Sequence, residues 1–176
     1  MDDILFDDVN YLKTGTLKQQ QVYRLLTDNN IIDFLKEYGA TLAGTIPLNI
    51  DIEGSDLDIL CEINNEINFI EVLQKSFSHY ENFTLAKVIV NKEQTVIANF
   101  LIEDFEVEIF GQAVPVREQA GYKHMIIEYK ILQEKGEEFR NQIIALKKQG
   151  YKTEPAFAKL LSLKGNPYIS LLDYKV

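Results

Sequence analysis

The chain has 176 residues, of which 46% are hydrophobic and 26% charged, a balance typical of a globular domain with a substantial core. Its net charge of −9 argues against a general nucleic-acid binder, because polyanion affinity depends largely on Lys and Arg. No apolar run approaches the ~20 residues needed to span a bilayer, the acidic start lacks the positive region of a signal peptide, and the single Cys61 excludes an internal disulfide. We therefore expect a cytoplasmic protein without a membrane segment.

The first half of the chain predicts alternating helices and strands after a loosely held lead-in over the first ten residues. Apolar positions at helical spacing indicate amphipathic helices, and short apolar runs indicate strands. Pro47 and Gly54 mark irregular backbone between the two strands. The predicted elements are a helix over 17–38 that is interrupted at 28–30, strands over 40–44 and 57–62, and a helix over 65–80.

The second half predicts a group of strands followed only by helices. We expect strands over 83–91, 95–103 and 105–110, and helices over 117–133, over 137–148 and from Thr153, as the cap, to about 165–167. This order indicates an α+β fold with a mixed or antiparallel sheet flanked by helices and a helical C-terminal segment. We interpret residues 1–176 as one domain, with its core over 18–115 and a helical part over 116–176.

Two aspartates, Asp56 and Asp58, are the first candidates for chemistry. On a strand they would share one face, about 7 Å apart, while Leu57 and Ile59 face the other way. Two acids side by side on a strand repel each other, and acids are poor strand formers. A divalent cation would remove that penalty, although two solvated acids at a turn would be the simpler interpretation of this pair alone.

Further residues extend the pair into a possible nucleotide site. Gly44 allows close approach of a ligand to the backbone, and the Thr45 hydroxyl with nearby N–H groups could hold phosphate oxygens. Glu106 and Glu108 alternate with apolar residues and could add a third carboxylate to a metal site. Each of these residues alone also fits an ordinary turn or a solvated strand face.

Here the sequence resembles a known family. Leu42-Ala-Gly-Thr45, ten intervening residues and Asp56-Leu-Asp-Ile59, followed by a later strand acid, resemble the signature of the DNA polymerase β-like nucleotidyltransferase superfamily. Residues 44–47 and 54–59, together with Glu108-Ile-Phe-Gly-Gln-Ala-Val-Pro115, resemble a family of bacterial proteins known as DUF4269. The superfamily resemblance covers roughly residues 18–115, and the narrower one nearly the whole chain.

The resemblance implies transfer of a nucleoside monophosphate from an NTP to an acceptor hydroxyl, assisted by Mg²⁺ or Mn²⁺. It implies that Asp56, Asp58 and Glu108 are the catalytic and metal-binding acids, with Glu108 preferred to Glu106, and that Gly44 and Thr45 contact the triphosphate. A small-molecule or protein acceptor is expected, because the acidic balance disfavours nucleic acid. The alternative is a non-catalytic nucleotide-binding or interaction module, including a toxin–antitoxin-type module, and the sequence leaves the oligomeric state open.

Two more polar residues have competing interpretations. Ser55 precedes Asp56 and is a nucleotide-binding candidate, although its hydroxyl could equally stabilise a turn. His124 lies four residues before Glu128, a spacing that predicts a pair on one helix face.

Overall fold

The computed structural model describes residues 5–176 and contains a five-stranded mixed sheet with helices on both faces, which confirms the predicted α+β class. The strands are β1 (Thr41–Ala43), β2 (Leu57–Glu62), β3 (Glu81–Val90), β4 (Glu93–Ile102) and β5 (Phe105–Gln112). The helices are α1 (Leu17–Asp28), α2 (Ile31–Phe34), α3 (Glu66–Phe77), α4 (Ala120–Lys148), α5 (Thr153–Leu160) and α6 (Pro167–Leu172).

The sheet has the strand order β1-β2-β5-β4-β3. Strands β2 and β5 are parallel, whereas β1–β2, β5–β4 and β4–β3 are antiparallel. A parallel pair needs a long crossover, and α3 with the β3–β4 hairpin provides it. The crossover brings the strand that carries Asp58 beside the strand that carries Glu108, although these residues are fifty positions apart in sequence.

The two faces of the sheet bury different sets of side chains. Leu57 and Ile59 of β2 are fully buried with α1 and α3, and Val107 and Ile109 of β5 lie in the same core. On the opposite face, Leu60 packs in a second core with the C-terminal helices. Alternation along the strands therefore separates apolar residues from acids, as the sequence predicts.

Most predicted helices are present with shifted ends. The first helix is interrupted at Asn30, which has a φ of 54°. Gly136, with φ 75° and ψ −168°, breaks α4 into two helical segments, which confirms the predicted division near residue 136. The α4 start at Ala120 lies after a short 3₁₀ turn over Val116–Glu118.

Three local predictions are wrong. Phe6 is only 2% exposed and packs edge-on against the rings of Tyr11 and Tyr129, so the lead-in is not loosely held there; its first four residues lie outside the described part of the chain. Thr153 is the first helical residue of α5 rather than its cap. Pro167 begins α6 instead of ending the preceding helix, because its fixed φ suits the first turn.

Within residues 5–176, no helix combines the length and the apolar character that crossing a bilayer requires.

Candidate functional site

A cleft of about 540 Å³ lies between the sheet and the C-terminal helices, within the size range of small-molecule sites. The sheet contributes residues of β1, β2 and β5 and the end of β3, and the opposite wall comes from α4, α5 and α6. Its polar and charged lining residues are Thr45, Asp56, Asp58, Asn91, Glu108, Gln112, His124, Glu128, Lys152, Thr153, Glu154 and Tyr168.

Three of the predicted acids line this one cleft. Asp58 and Glu108 are directly paired across the parallel strands β2 and β5, whose backbones lie about 4.8 Å apart. Asp56 lies immediately before β2 and lines the same space. Glu106 is an exposed residue outside the cleft lining, so the structure brings Glu108, and not Glu106, beside the two aspartates.

Gly44 lies directly against one of these carboxylates. A Cβ at this position would be 2.2 Å from Oδ2 of Asp58, and the backbone has a φ of +77°. Both the close contact and the left-handed conformation require glycine. The turn after β1 therefore places the backbone of Gly44 and the adjacent Thr45 next to the acid pair, and both residues line the cleft.

Ser55 lies outside the cleft lining. Its Oγ accepts a hydrogen bond of 2.9 Å from the Ile52 N–H, which is the turn-stabilising contact that the sequence offered as its alternative. Its role in nucleotide binding stays a prediction that no contact in the described residues supports.

The acids of the cleft raise each other's proton affinity. Burial, followed by the charges of Asp56, Glu108 and Glu154, raises the pKa of Asp58 to about 7, and Lys147 opposes this shift. Burial and the charge of Asp56 also raise the pKa of Glu108. Each carboxylate is therefore destabilised in its ionised form by desolvation and by its neighbours, and a bound cation would favour ionisation.

The irregular segment between β1 and β2 is held by side chains from two helices. Gln19 lies on α1, and Arg140 and Lys147 lie on α4. Each donates a hydrogen bond to a backbone carbonyl oxygen of the segment. Gln19 Nε2 donates to Ile46 at 2.9 Å, Arg140 Nη1 donates to Leu48, and Lys147 Nζ donates to Ile50 at 2.8 Å. Because these donors satisfy the buried carbonyl groups, the segment stays ordered without a regular helix.

The helical wall contains functional candidates that the sequence reasoning missed. Glu128 is 4% exposed, and its Oε1 atom has no hydrogen-bond partner. It follows Tyr122 and Met125 at a spacing of three, so an acid within an apolar helical stripe was the available signal. Burial raises the pKa of Glu128 well above its ordinary value, the Glu154 charge adds to this, and Lys147 opposes it.

The predicted pairing of His124 with Glu128 is wrong. Nδ1 of His124 lies 3.7 Å from Oε1 of Glu154, and Nε2 donates to the Tyr168 carbonyl oxygen at 2.8 Å. The histidine therefore connects α4 to α5 and α6 at the rim of the cleft. It turns away from Glu128 because its two ring nitrogens point to partners on other helices.

The oxygen donors of the cleft suit a hard divalent cation, but they do not form a complete cage. Within residues 5–176, no group of three or more His, Cys, Asp or Glu side chains is arranged to hold a metal ion alone. Mg²⁺ is usually held by one or two carboxylates together with water and substrate phosphates. The paired Asp58 and Glu108, with Asp56 in the same cleft, fit such a site only if water or phosphate oxygens supply the remaining ligands.

In sequence, residues 24–174 match the family described as Domain of unknown function (DUF4269). No curated protein is significantly similar to the chain.

Similar solved structures come from nucleotidyltransferases. The GLD-2/RNP-8 complex matches with a TM-score of 0.53 and 10% identity over 90% of this chain and 60% of that one. Cid1 poly(U) polymerase with Mg and 3′-dATP bound matches with a TM-score of 0.52 and 11% identity, over 75% and 41% of the two chains. A Cid1 mutant bound to MgATP matches with a TM-score of 0.54 and 8% identity, over 86% of this chain and 47% of that one.

These similarities show a nucleotidyltransferase-like fold. The chain spans less than two thirds of the length of each of these three structures.

Proposed function

The chain belongs to the DUF4269 family, and from its fold and cleft we propose that it is a metal-dependent nucleotidyltransferase. It would transfer a nucleoside monophosphate from an NTP to a hydroxyl group of a small-molecule or protein acceptor. The observation that carries this proposal is the direct pairing of Asp58 with Glu108 across β2 and β5, with Asp56 in the same cleft. One acid pair could be incidental, whereas three acids from two distant segments facing one space indicate a site.

The nucleotide phosphates would lie at the turn after β1. The backbone of Gly44 approaches the Asp58 carboxylate closely, and Thr45 lines the cleft beside it. A triphosphate at this turn would lie between backbone N–H donors and the acid group. Similar structures of Cid1 contain Mg with 3′-dATP and a UTP analogue, which supports the same class of ligand here.

Asp56, Asp58 and Glu108 would hold Mg²⁺ or Mn²⁺ through their carboxylate oxygens. The bound cation would neutralise charge on the triphosphate. Through that cation the three carboxylates would orient the phosphate chain, and the walls of the cleft would restrict water. Catalysis of this type depends mainly on positioning and charge neutralisation.

The proton balance assigns a second role to Glu108. The acceptor oxygen forms a bond to the α-phosphorus as the bond from that phosphorus to the oxygen leading to the β-phosphate breaks, and pyrophosphate leaves. Glu108 takes the proton of the acceptor hydroxyl. Its position beside Asp58 across the parallel strands would place its carboxylate within the site for that proton transfer.

The acceptor need not resemble that of the structural neighbours. Their names include a poly(U) polymerase and an RNA terminal U-transferase. This chain has a net charge of −9, and Lys152 is the one lysine that lines the cleft within the described residues. Such a surface would repel a polyanion, so we favour a small-molecule or protein acceptor.

A thermal-shift experiment tests the nucleotide and metal roles together. Each of the four NTPs would be added with Mg²⁺ or Mn²⁺ to the wild type, to Asp58→Asn and to Glu71→Gln, the last being a charge-removal control on the exposed side of α3. A ligand at one hundred times its dissociation constant should stabilise the folded state by about 2.7 kcal/mol. We expect this stabilisation for the wild type and Glu71→Gln and its loss in Asp58→Asn.

The outcome separates the enzyme from the alternative. The absence of a shift with every NTP would contradict nucleotide binding. A shift that does not depend on the cation or on Asp58 would instead favour a non-catalytic nucleotide-binding module. Label transfer from an α-phosphate-labelled NTP to a small-molecule or protein fraction would then establish the reaction.

A further inference from the structure

The helical wall of the cleft contains two acids that the proposed transfer chemistry does not use. Glu128 of α4 and Glu154 of α5 line the space that Asp58 faces from the sheet. Glu154 is close enough to both Asp58 and Glu128 for its charge to raise the pKa of each. The wall therefore extends the acidic region away from β2 and β5.

Glu128 is the residue that points to a ligand. It is 4% exposed, and its Oε1 atom has no hydrogen-bond partner among the described residues. A buried polar atom without a partner is destabilising by roughly 1–3 kcal/mol, and it needs a donor from outside the chain. Lys147 does not supply that donor, because its Nζ atom donates to the Ile50 carbonyl oxygen at 2.8 Å and makes no hydrogen bond to Oε1 of Glu128.

The charges of the cleft indicate the sign of the charge on the ligand that would bind Glu128. Five carboxylates line it, on Asp56, Asp58, Glu108, Glu128 and Glu154, and within the described residues Lys152 is the one lysine in the lining. Asp56, Asp58 and Glu108 would hold a divalent cation together with a triphosphate. Glu128 and Glu154 then remain without a part in that chemistry: Glu154 lies 3.7 Å from Nδ1 of His124, and Oε1 of Glu128 has no partner. A cationic ligand would favour the ionised form of the buried Glu128.

We propose that Glu128 and Glu154 form an acceptor subsite that binds the protonated amine of a small molecule carrying both amino and hydroxyl groups. The inference rests on the proposed function in so far as the bound amine is called an acceptor. An ammonium group supplies up to three donors, which suits an unpartnered carboxylate oxygen. It also offsets the repulsion among the acids, whereas a phosphorylated acceptor would increase it.

The apolar part of the cleft, from both the sheet and α4, suits a compact organic acceptor. Leu60, Phe110 and Met125 line the cleft beside the acids. Apolar walls with a few placed polar groups are the usual composition of a small-molecule site. The amine would bind at Glu128 and Glu154, and the hydroxyl would then lie toward Glu108.

Calorimetric titration of the full chain with matched probes tests this assignment. The probes are glucosamine, which carries an amine and hydroxyl groups, spermidine, which carries amines alone, and N-acetylglucosamine and glucose, which present hydroxyl groups comparable to those of glucosamine without its charge. They would be titrated into the wild type, Glu128→Gln, Glu154→Gln and Glu71→Gln, in the presence of Mg²⁺ and a non-hydrolysable NTP analogue. Glu154→Gln keeps the test valid if Glu128→Gln fails to fold.

We expect saturable binding of at least one amine to the wild type and to Glu71→Gln, with affinity at least tenfold above that of the neutral sugars. Each cleft variant should weaken amine binding by about tenfold, because an amide keeps the shape of the side chain but loses the charge. Neutral sugars that bind as well as the amines, amine affinities unchanged in both cleft variants, or no amine that saturates would each overturn the subsite.

The same titrations separate this inference from the proposed function. If the NTP analogue still stabilises the protein through Asp58 but no amine binds, the amine subsite alone is refuted. If amines bind through Glu128 while no NTP binds, nucleotidyl transfer is refuted and the cleft is an amine-binding site. If Glu128→Gln alters the choice among NTPs and leaves amine binding unchanged, Glu128 recognises the nucleotide base and the subsite is refuted.

Discussion

Asp58 and Glu108 are register partners on the parallel strands β2 and β5, and both side chains line the cleft under the C-terminal helices. Their partners on the other face of the sheet, Ile59 and Ile109, are also paired and fully buried. The core pairing therefore fixes the acid pairing, because a one-residue slip of either strand would bury a carboxylate and expose an isoleucine.

The choice between Glu108 and Glu106 can be tested by matched variants. Glu108→Gln should lower transfer activity by at least a hundredfold, because it removes both a metal ligand and the base. Glu106→Gln changes the same charge on the same strand at an exposed position outside the cleft, and it should retain activity within about twofold. Steady-state rates with the NTP that stabilises the protein most would decide this, and equal losses in both variants would refute the assignment.

Gly44 should be intolerant of any side chain. Gly44→Ala would place Cβ 2.2 Å from Asp58 Oδ2, so either the turn or the carboxylate must move. Gly54→Ala is the matched control, since Gly54 has a similar φ of +75° and nothing within 4 Å of the added Cβ. Both should lose about 1 kcal/mol from the left-handed conformation. We expect a further 1–3 kcal/mol loss, and loss of NTP binding, only in Gly44→Ala, measured by urea unfolding and nucleotide titration.

The raised pKa of Asp58 predicts an unusual dependence of stability on pH in the metal-free protein. Its folded-state pKa is about 7, against an ordinary aspartate pKa of 3.8. The folded state therefore binds the proton of Asp58 more tightly than the unfolded state does. This difference stabilises the folded state fully below pH 3.8, and the stabilisation is lost as the pH rises through about 7.

Asp58→Asn removes that loss, because the amide does not ionise. The variant should match the wild type near pH 4 and exceed it by on the order of 2 kcal/mol at pH 8, allowing for partial solvent screening. Urea unfolding at pH 4.5, 6 and 8 in a chelating buffer measures the difference. A difference that is constant over this range, or that grows toward acid pH, would contradict the raised pKa.

The side chains that hold the segment between β1 and β2 should affect nucleotide binding from a distance. Arg140→Met keeps most of the apolar stem but removes the donor to the Leu48 carbonyl oxygen, which should destabilise the fold by about 1–3 kcal/mol. The segment follows Gly44 and Thr45 directly, so NTP affinity should fall as well, by about tenfold. Hydrogen exchange of residues 45–50 would report the loosening.

Lys148→Met is the control for this variant, because Lys148 is exposed on the same helix. It should change neither the exchange rates nor the NTP affinity. Equal effects in both variants would attribute the loss to the general charge of α4 rather than to the bond with Leu48.

Some of the site could be predicted because its pattern is local. Strand β2 has the predicted bounds, and the alternation of Leu57 and Ile59 with Asp58 correctly separates the buried face from the cleft face. The glycine before Thr45 likewise indicated close approach of the backbone. The close approach that the structure shows is to the carboxylate of Asp58.

The helical wall could not be predicted in the same way. Glu128 and Lys147 lie on one long helix that Gly136 interrupts, and their burial depends on how each segment packs. Helical periodicity gives the face of a residue on its own helix, but it gives no information on which strand that face will cover. For this reason the sequence predicts a pair between His124 and Glu128, whereas in the tertiary structure His124 lies beside Glu154.

The sequence by itself determined which acids could share a face, since the twofold period of a strand depends only on neighbouring residues. Only the tertiary structure decided that Glu108 lies beside Asp58, that Glu128 is buried without a partner for Oε1, and that α4 holds the segment after Thr45. These relationships join residues between fifty and about one hundred positions apart. They arise from burying two apolar cores on opposite faces of one sheet, a condition that the whole chain satisfies together.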